Sequence, residues 1–145
     1  MTVTAFWFGL GLKSVVEGKV NWPADAINVM LCASAYVPNQ DTHQFKSDVT
    51  NEVVGIGYTA GGQALASKTD VYTGATNTIA LAAANTSWAA STITARFAVI
   101  YDSTPATDAT RPLLGYVDFG ADVVSTNGAF TITWNASGIL TLAAA

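Results

Sequence analysis

The stretch Thr92-Ile93-Thr94-Ala95-Arg96-Phe97-Ala98-Val99-Ile100-Tyr101 decides the fold. Ile93, Ala95, Phe97, Val99 and Tyr101 fall on one side of an extended chain, and Thr92, Thr94, Arg96, Ala98 and Ile100 on the other. A period of two is the mark of a β-strand, and β-branched and aromatic residues suit its pleated surface. After a loop running from Pro105 to Pro112, Leu113 to Phe119 reads as the next strand. Further on, Phe130, Ile132 and Trp134 face inward while Thr131 and Thr133 face outward, with Asn127-Gly128 before them as a turn. Asn135-Ala136-Ser137-Gly138 then turns into a last strand, Ile139 to Leu142.

Upstream the same alternation of small turn residues and β-branched runs continues. Ala26 to Ala33 places Ile27, Val29 and Leu31 on one face, opposite Asn28, Met30 and Cys32, and reads as a strand buried mainly on one side. Pro38 and Asn39 favour a turn, after which Asp41 or Thr42 caps a single helical turn through Ser47. Glu52 to Tyr58, Gln63 to Val71 after the turn Ala60-Gly61-Gly62, and Asn77 to Leu81 read as further strands. Residues 5 to 17 fit either a short helix, with Phe6 and Leu10 and then Phe8 and Leu12 spaced i, i+4, or an apolar arm. Gly9 and Gly11 weaken the helix, and Gly18 suits a left-handed cap.

The expected fold is mainly β: a jelly-roll-like β-sandwich of about eight short antiparallel strands with one or two short helices. The 145 residues suit a single domain, with 1–18 as the N-terminal apolar segment and 19–145 as the sandwich.

Composition narrows the function. Apolar residues make up 50% of the chain and charged residues only 11%, against about 25% in an average soluble domain. The polar exterior must therefore be built from Thr, Ser, Asn and Gly. Interface cores are depleted in charge, so a subunit covered by partners tolerates this composition better than a free monomer does. The net charge is -4 and the six Lys and Arg are scattered, which gives nucleic acid no basic stripe. The apolar run from Ala5 to Val16 lacks a basic leader region and is interrupted by Lys13 and Glu17, so it reads as a packing segment rather than a membrane anchor.

Candidate chemistry is sparse. His43 is the only histidine and Cys32 the only cysteine. A Cys32–His43 pair, or His43 with Asp41, would need a positioned nucleophile, yet Cys32 lies mid-strand among apolar residues and no nucleophile elbow occurs. Asp118 with Asp122, and Asp102 with Asp108, read as solvated turn carboxylates, since no calcium-loop spacing supports them. Gly55-Ile56-Gly57-Tyr58-Thr59-Ala60 spells a dinucleotide pattern but is followed by Gly61-Gly62 and another strand instead of a helix. No catalytic, metal or cofactor residue is assigned. Possible interface residues are Phe6, Trp7, Phe8, Trp22 and Trp88, with Trp22 and Trp88 beside turns as candidates for surface contact, including sugar stacking. The apolar ends, Phe6-Trp7-Phe8 and Leu140 to Ala145, are candidates for arms reaching neighbours or for packing on the parent domain.

Four strings carry a resemblance: Tyr36-Val37-Pro38-Asn39-Gln40-Asp41-Thr42-His43, Gly57-Tyr58-Thr59-Ala60-Gly61-Gly62, Ser91-Thr92-Ile93-Thr94-Ala95-Arg96 and Gly115-Tyr116-Val117-Asp118-Phe119-Gly120. From about Lys19 to Leu142 the chain resembles small proteins of tailed-phage structural modules, and it is similar in size to capsid cement (decoration) proteins with jelly-roll-like folds. The resemblance implies a bacteriophage virion protein on the capsid surface, assembled in the bacterial host cytoplasm, whose partners are the major capsid protein and copies of itself in a homo-oligomer. It supplies no catalytic residues. The alternatives are a tail tube or fibre protein, a carbohydrate-binding module on the virion and, last, an enzyme using His43 and Cys32.

Overall fold

The computed structural model describes residues 2–144, so Ala145 of the expected C-terminal arm lies outside it. In chain order the elements are β1 (Thr2–Val3), β2 (Phe6–Trp7), α1 (Gly9–Val16), β3 (Ile27–Cys32), a 3₁₀ turn (Lys46–Asp48), β4 (Gln63–Ala64), β5 (Thr69–Thr73), β6 (Thr78–Ala82), β7 (Thr86–Asp102), β8 (Leu113–Trp134) and β9 (Leu140–Ala143). The protein is mainly β. Its larger sheet has the order β1-β8-β7-β3-β4, with β2 also paired to β8; its smaller one has the order β5-β6-β9. All pairs are antiparallel except β1 with β8.

The alternating stretch Thr92–Tyr101 sits inside a strand of 17 residues, and its partner β8 runs for 22. The two expected strands Leu113–Phe119 and Phe130–Trp134 are therefore opposite ends of one strand. The sequence cut them apart because the ladder is broken by bulges, which read like turns. Asn127 has φ 46, the left-handed backbone that an Asn-Gly pair signals, but it produces a bulge and not a reversal. Between Ala95↔Val123 and Phe97↔Asp118, only Arg96 faces the four residues 119 to 122. There the Gly120 N–H donates to Asp118 Oδ1 at 2.8 Å, whereas around Asn127 serine and threonine hydroxyls line the interrupted ladder. Ser91 Oγ and Ser125 Oγ lie 2.7 Å apart in the core, the Ser91 hydroxyl also meets the Gly128 carbonyl at 3.0 Å, and the Asn127 N–H donates to Thr92 Oγ1 at 2.9 Å.

Strand β3 is buried on both faces, not one. Ile27, Val29 and Leu31 enter the main core with Trp22, Trp88, Leu114 and Trp134, while Met30 and Cys32 join a second cluster with Phe8, Tyr36, Phe97 and Leu113. Leu81 of β6 and Leu140 of β9 belong to the same main core as β3, β7 and β8, so one apolar interior takes residues from both sheets. The expected strand Glu52–Tyr58 is instead a loop with single bridges at Glu52 and Ile56, and Gln63–Val71 divides into β4 and β5. The helical turn expected from Asp41 is absent. The Asn39 side chain instead accepts the Asp41 and Thr42 N–H groups, and the helical residues begin at Lys46, where Asp48 Oδ2 accepts from Gln44 and Phe45.

The N-terminal segment is no free arm among the described residues. β1 pairs with Thr133–Trp134, β2 with Gly115–Tyr116, and α1 lies across β8. Gly11 explains why a glycine occupies a helix interior: a Cβ there would drive into the Leu113 and Leu114 carbonyls. Gly18, at φ 73, closes the helix, with its N–H on the Val15 carbonyl and that of Lys19 on Ser14. The C-terminal strand likewise pairs with β6 of its own chain.

Gly11→Ala should gain helix propensity yet destabilise the protein by about 2 kcal/mol, because the overpacked contact is backbone on backbone. A urea unfolding curve checks this; a stabilised variant would mean that the helix does not seat on β8.

Candidate assembly surfaces

Most charge on this protein is already engaged within it. Of six cations, five are ion-paired: Lys13 and Lys19 with Glu17, Lys46 and Arg111 with Asp108, and Arg96 with Asp118. Lys46 and Arg111 hold the Asp108 carboxyl below the usual range, and Arg96 does the same for Asp118. These two carboxylates are thus partners of cations rather than solvated turn residues. Glu52 is turned inward, accepting the Tyr58 hydroxyl at 2.8 Å and the Gly61 N–H at 2.6 Å. The ion pairs themselves lie at the surface, with Lys13 and Lys19 more than half exposed.

The loop after Glu52 has an inverted pattern. Gly55 and Gly57 press their backbone against β7, where a Cβ on Gly55 would lie 2.8 Å from Ile93 Cγ2 and one on Gly57 2.8 Å from Ser91 Cα. The apolar side chains on either side of Gly55 point away: Val54 is 95% and Ile56 73% exposed. Ile56 is bridged to Thr92 through its carbonyl, and Val124, 62% exposed, stands opposite Thr94 on β8. Val54 and Val124 border a shallow depression of about 390 Å³ with Thr92, Thr94 and Thr126, and its only charged neighbour is the engaged Glu52. A loop that buries glycine and displays valine and isoleucine gains nothing for its own core.

A second uncharged surface covers the small sheet. Thr69, Val71, Thr73, Thr78, Ala80 and Thr141 line a depression of about 580 Å³ that no charged residue borders.

The residues singled out from sequence are dispersed. Trp22 and Trp88 are only 5% and 2% exposed, so neither offers a platform for sugar or protein. Their neighbouring turns suggested surface, but Trp22 Nε1 donates to the Ala82 carbonyl and Trp88 packs on Tyr58 and Phe130. Phe8 is wholly buried in the second cluster, Trp7 is half-buried with its indole N–H on the Thr141 carbonyl, and Phe6 is 58% exposed over Tyr116. The signal for Val54 and Ile56 is the Gly-x-Gly spacing at 55 and 57, inside the stretch Glu52 to Tyr58 that reads as a strand from its letters.

His43 Nδ1 meets the Tyr36 hydroxyl at 2.9 Å and the Asn39 N–H at 3.3 Å, not Asp41. Burial pushes the Cys32 thiol up to about 12, so it stays protonated at neutral pH. Among the described residues no three His, Cys, Asp or Glu side chains gather to hold a metal, and no helix is long and apolar enough to cross a membrane. Comparison with protein-family profiles, curated proteins and solved structures gives no match for the chain.

One carboxyl stands apart. Asp102, at the end of β7, is buried, and its Oδ1 accepts the Thr104 N–H at 2.9 Å. Burial raises its pKa above the ordinary carboxylate range, and Asp25 beside it adds to the rise. A raised value in the folded state favours the protonated form. The resulting stabilisation is present below the unfolded-state pKa and is lost as pH rises through the raised one. Asp102→Asn keeps the shape and removes the proton, so the wild type should lose stability relative to this variant as pH climbs through that window. Unfolding free energies across pH check this, and parallel curves for the two proteins would refute it.

Proposed function

We propose that this chain is a structural subunit of a tailed-phage virion, a cement protein that binds the outer capsid shell and braces it through protein–protein packing. In this reading the partners are the major capsid protein and further copies of the chain, the two sheets are the layers of a jelly-roll-like sandwich, and the protein performs no catalysis. The observation that carries it is the display of Val54, Ile56 and Val124 on a surface whose charges are few, with five cations held in ion pairs. Covering three such side chains contributes roughly 5 kcal/mol before the costs of association. That is modest for one contact, and it suits a lattice where many weak contacts act together.

The alternative of a tail tube or fibre subunit draws on the length of the β7–β8 hairpin. Thr86, Trp88, Ser91, Ile93 and Ala95 are nevertheless buried along β7, so the hairpin serves the core rather than projecting as an arm. The carbohydrate-binding alternative loses its support with the burial of Trp22 and Trp88.

Density for this chain in the purified particle is the decisive test, with the outer shell as the expected location; its absence from particles would end the structural reading. The double variant V54D/I56D should fold with stability within about 0.5 kcal/mol of wild type for each exposed change. Its occupancy on shells should nonetheless fall at least about tenfold, since the new carboxylates must be desolvated on docking. Unchanged occupancy would move the contact elsewhere.

A further inference from the structure

The sheet edges of this protein are not protected equally. β1 and β4 are two residues each, too short to template another strand. The outer side of β8 is paired only near its ends, and between them it is broken by bulges with positive φ at Gly120 and Asn127. The free side of β9 is partly taken by the N-terminal segment, through Ala5 N–H on the Ile139 carbonyl and the Trp7 indole on Thr141. β5 has no such device. Its five residues, Thr69-Asp70-Val71-Tyr72-Thr73, are all exposed, contain no proline or bulge, and pair only with β6.

The hydrogen-bond pattern tells which groups are open. The Ala144 N–H donates to the Asn77 carbonyl directly opposite it, so Asn77, Ile79 and Leu81 bond toward β9. By alternation Thr78, Ala80 and Ala82 bond toward β5, through Thr73, Val71 and Thr69. The backbone N–H and C=O groups of Asp70 and Tyr72 are left facing outward.

We propose that β5 pairs with β5 of a second copy, antiparallel about a two-fold axis at Val71, joining two three-stranded sheets into one of six strands. This register sets Asp70 against the second copy's Tyr72 and the reverse, which makes four main-chain hydrogen bonds from the four open groups of each pair of residues. Val71 then faces Val71 across a close, non-hydrogen-bonded pair, on the uncharged side of the sheet. Shifting the axis to Asp70 would oppose two carboxylates, and shifting it toward Ser67 meets the left-handed backbone there, φ 52, which ends the strand. The edge is therefore self-complementary in one full-length register, as a two-fold contact requires. One strand per copy buries less than a standard interface of about 1,200–2,000 Å², so the pair is weak in isolation and is best trapped.

The inference builds on the reading of the chain as a self-associating subunit, and cross-linking of the isolated full chain tests it apart from any particle. A non-hydrogen-bonded pair places Cα atoms about 4.5 Å apart, within disulfide range. Val71→Cys should give a covalent dimer on mild oxidation, while buried Cys32 stays out of the reaction. Thr69→Cys and Thr73→Cys should each remain monomeric alone but cross-link when mixed. Adding Tyr72→Pro to Val71→Cys removes the outward N–H, together with the Tyr72 ring and its hydroxyl bond to Asn77 Oδ1 in the same copy, and should lower the dimer yield at least about tenfold. Failure of Val71→Cys to dimerise, equal cross-linking at all three sites, or indifference to Tyr72→Pro would each overturn the proposal. A strand from a different protein on this edge would appear as the first of these. Shell density for the chain without a Val71 cross-link would sink edge pairing and leave the virion reading standing.

Discussion

The pairing of β7 with β8 is the constraint on which the rest of the structure depends. It joins strands of 17 and 22 residues, and the rest of the larger sheet is built outward from them: β3, which carries β4, on β7, and β1 and β2 on β8, where the helix also lies. A ladder this long cannot stay flat, because twist accumulates along paired strands. The bulges at residues 89–90, 119–122 and 126–127 absorb it. At the 126–127 bulge the hydroxyls of Ser91, Ser125 and Thr92 bond the backbone of Gly128, Ile93 and Asn127, and at 119–122 the Asp118 carboxylate takes the Gly120 N–H. The serine and threonine content thus does more than solubilise: part of it maintains the central hairpin.

The same composition shapes the outside. With 11% charged residues and most of its cations paired to neighbouring carboxylates, the protein presents long uncharged stretches. On that background Val54, Ile56 and Val124 stand out as exposed apolar side chains, and the proposed docking would cover them. The glycines at 55 and 57 make this display possible, since only a residue without a side chain lets the loop lie so close to Ser91 and Thr92 while its neighbours face away. Docked loop and open edge strand lie on different parts of the surface and offer two kinds of contact. One is apolar packing, which is tolerant of partner shape; the other is main-chain pairing, which demands a particular geometry.

The strands with unbroken alternation were legible from residues alone. Thr92 to Ala95 and Phe130 to Trp134 bury alternate residues as a period of two requires, whereas Phe97 to Tyr101 is buried on both faces, Ala98 and Ile100 in the main core and Phe97, Val99 and Tyr101 in the second cluster. The left-handed backbone at Asn127 and the cap at Gly18 were legible too, because positive φ has a short list of residues that tolerate it. Position in the chain misled where a signal has more than one structural outcome. An Asn-Gly pair states a local dihedral, and a turn and a bulge both use it. Glycine beside valine and isoleucine states only that the backbone is permissive, and a weak strand and a tightly docked loop look alike in letters. The tryptophans beside turns were placed on the surface by their neighbours, whereas Trp22 meets Ala82 of β6, sixty residues away, and Trp88 is packed between Tyr58 and Phe130.

Sequence by itself therefore determined the β class, the strong strands, the scarcity of charge and the sites of unusual backbone, since all of these follow from local sterics and side-chain chemistry. Only the tertiary structure decided that two expected strands are one, that β3 is covered on both faces, and which apolar residues remain outside. Those outcomes depend on which distant segments meet, and burial is a property of the pair that meets rather than of either sequence alone.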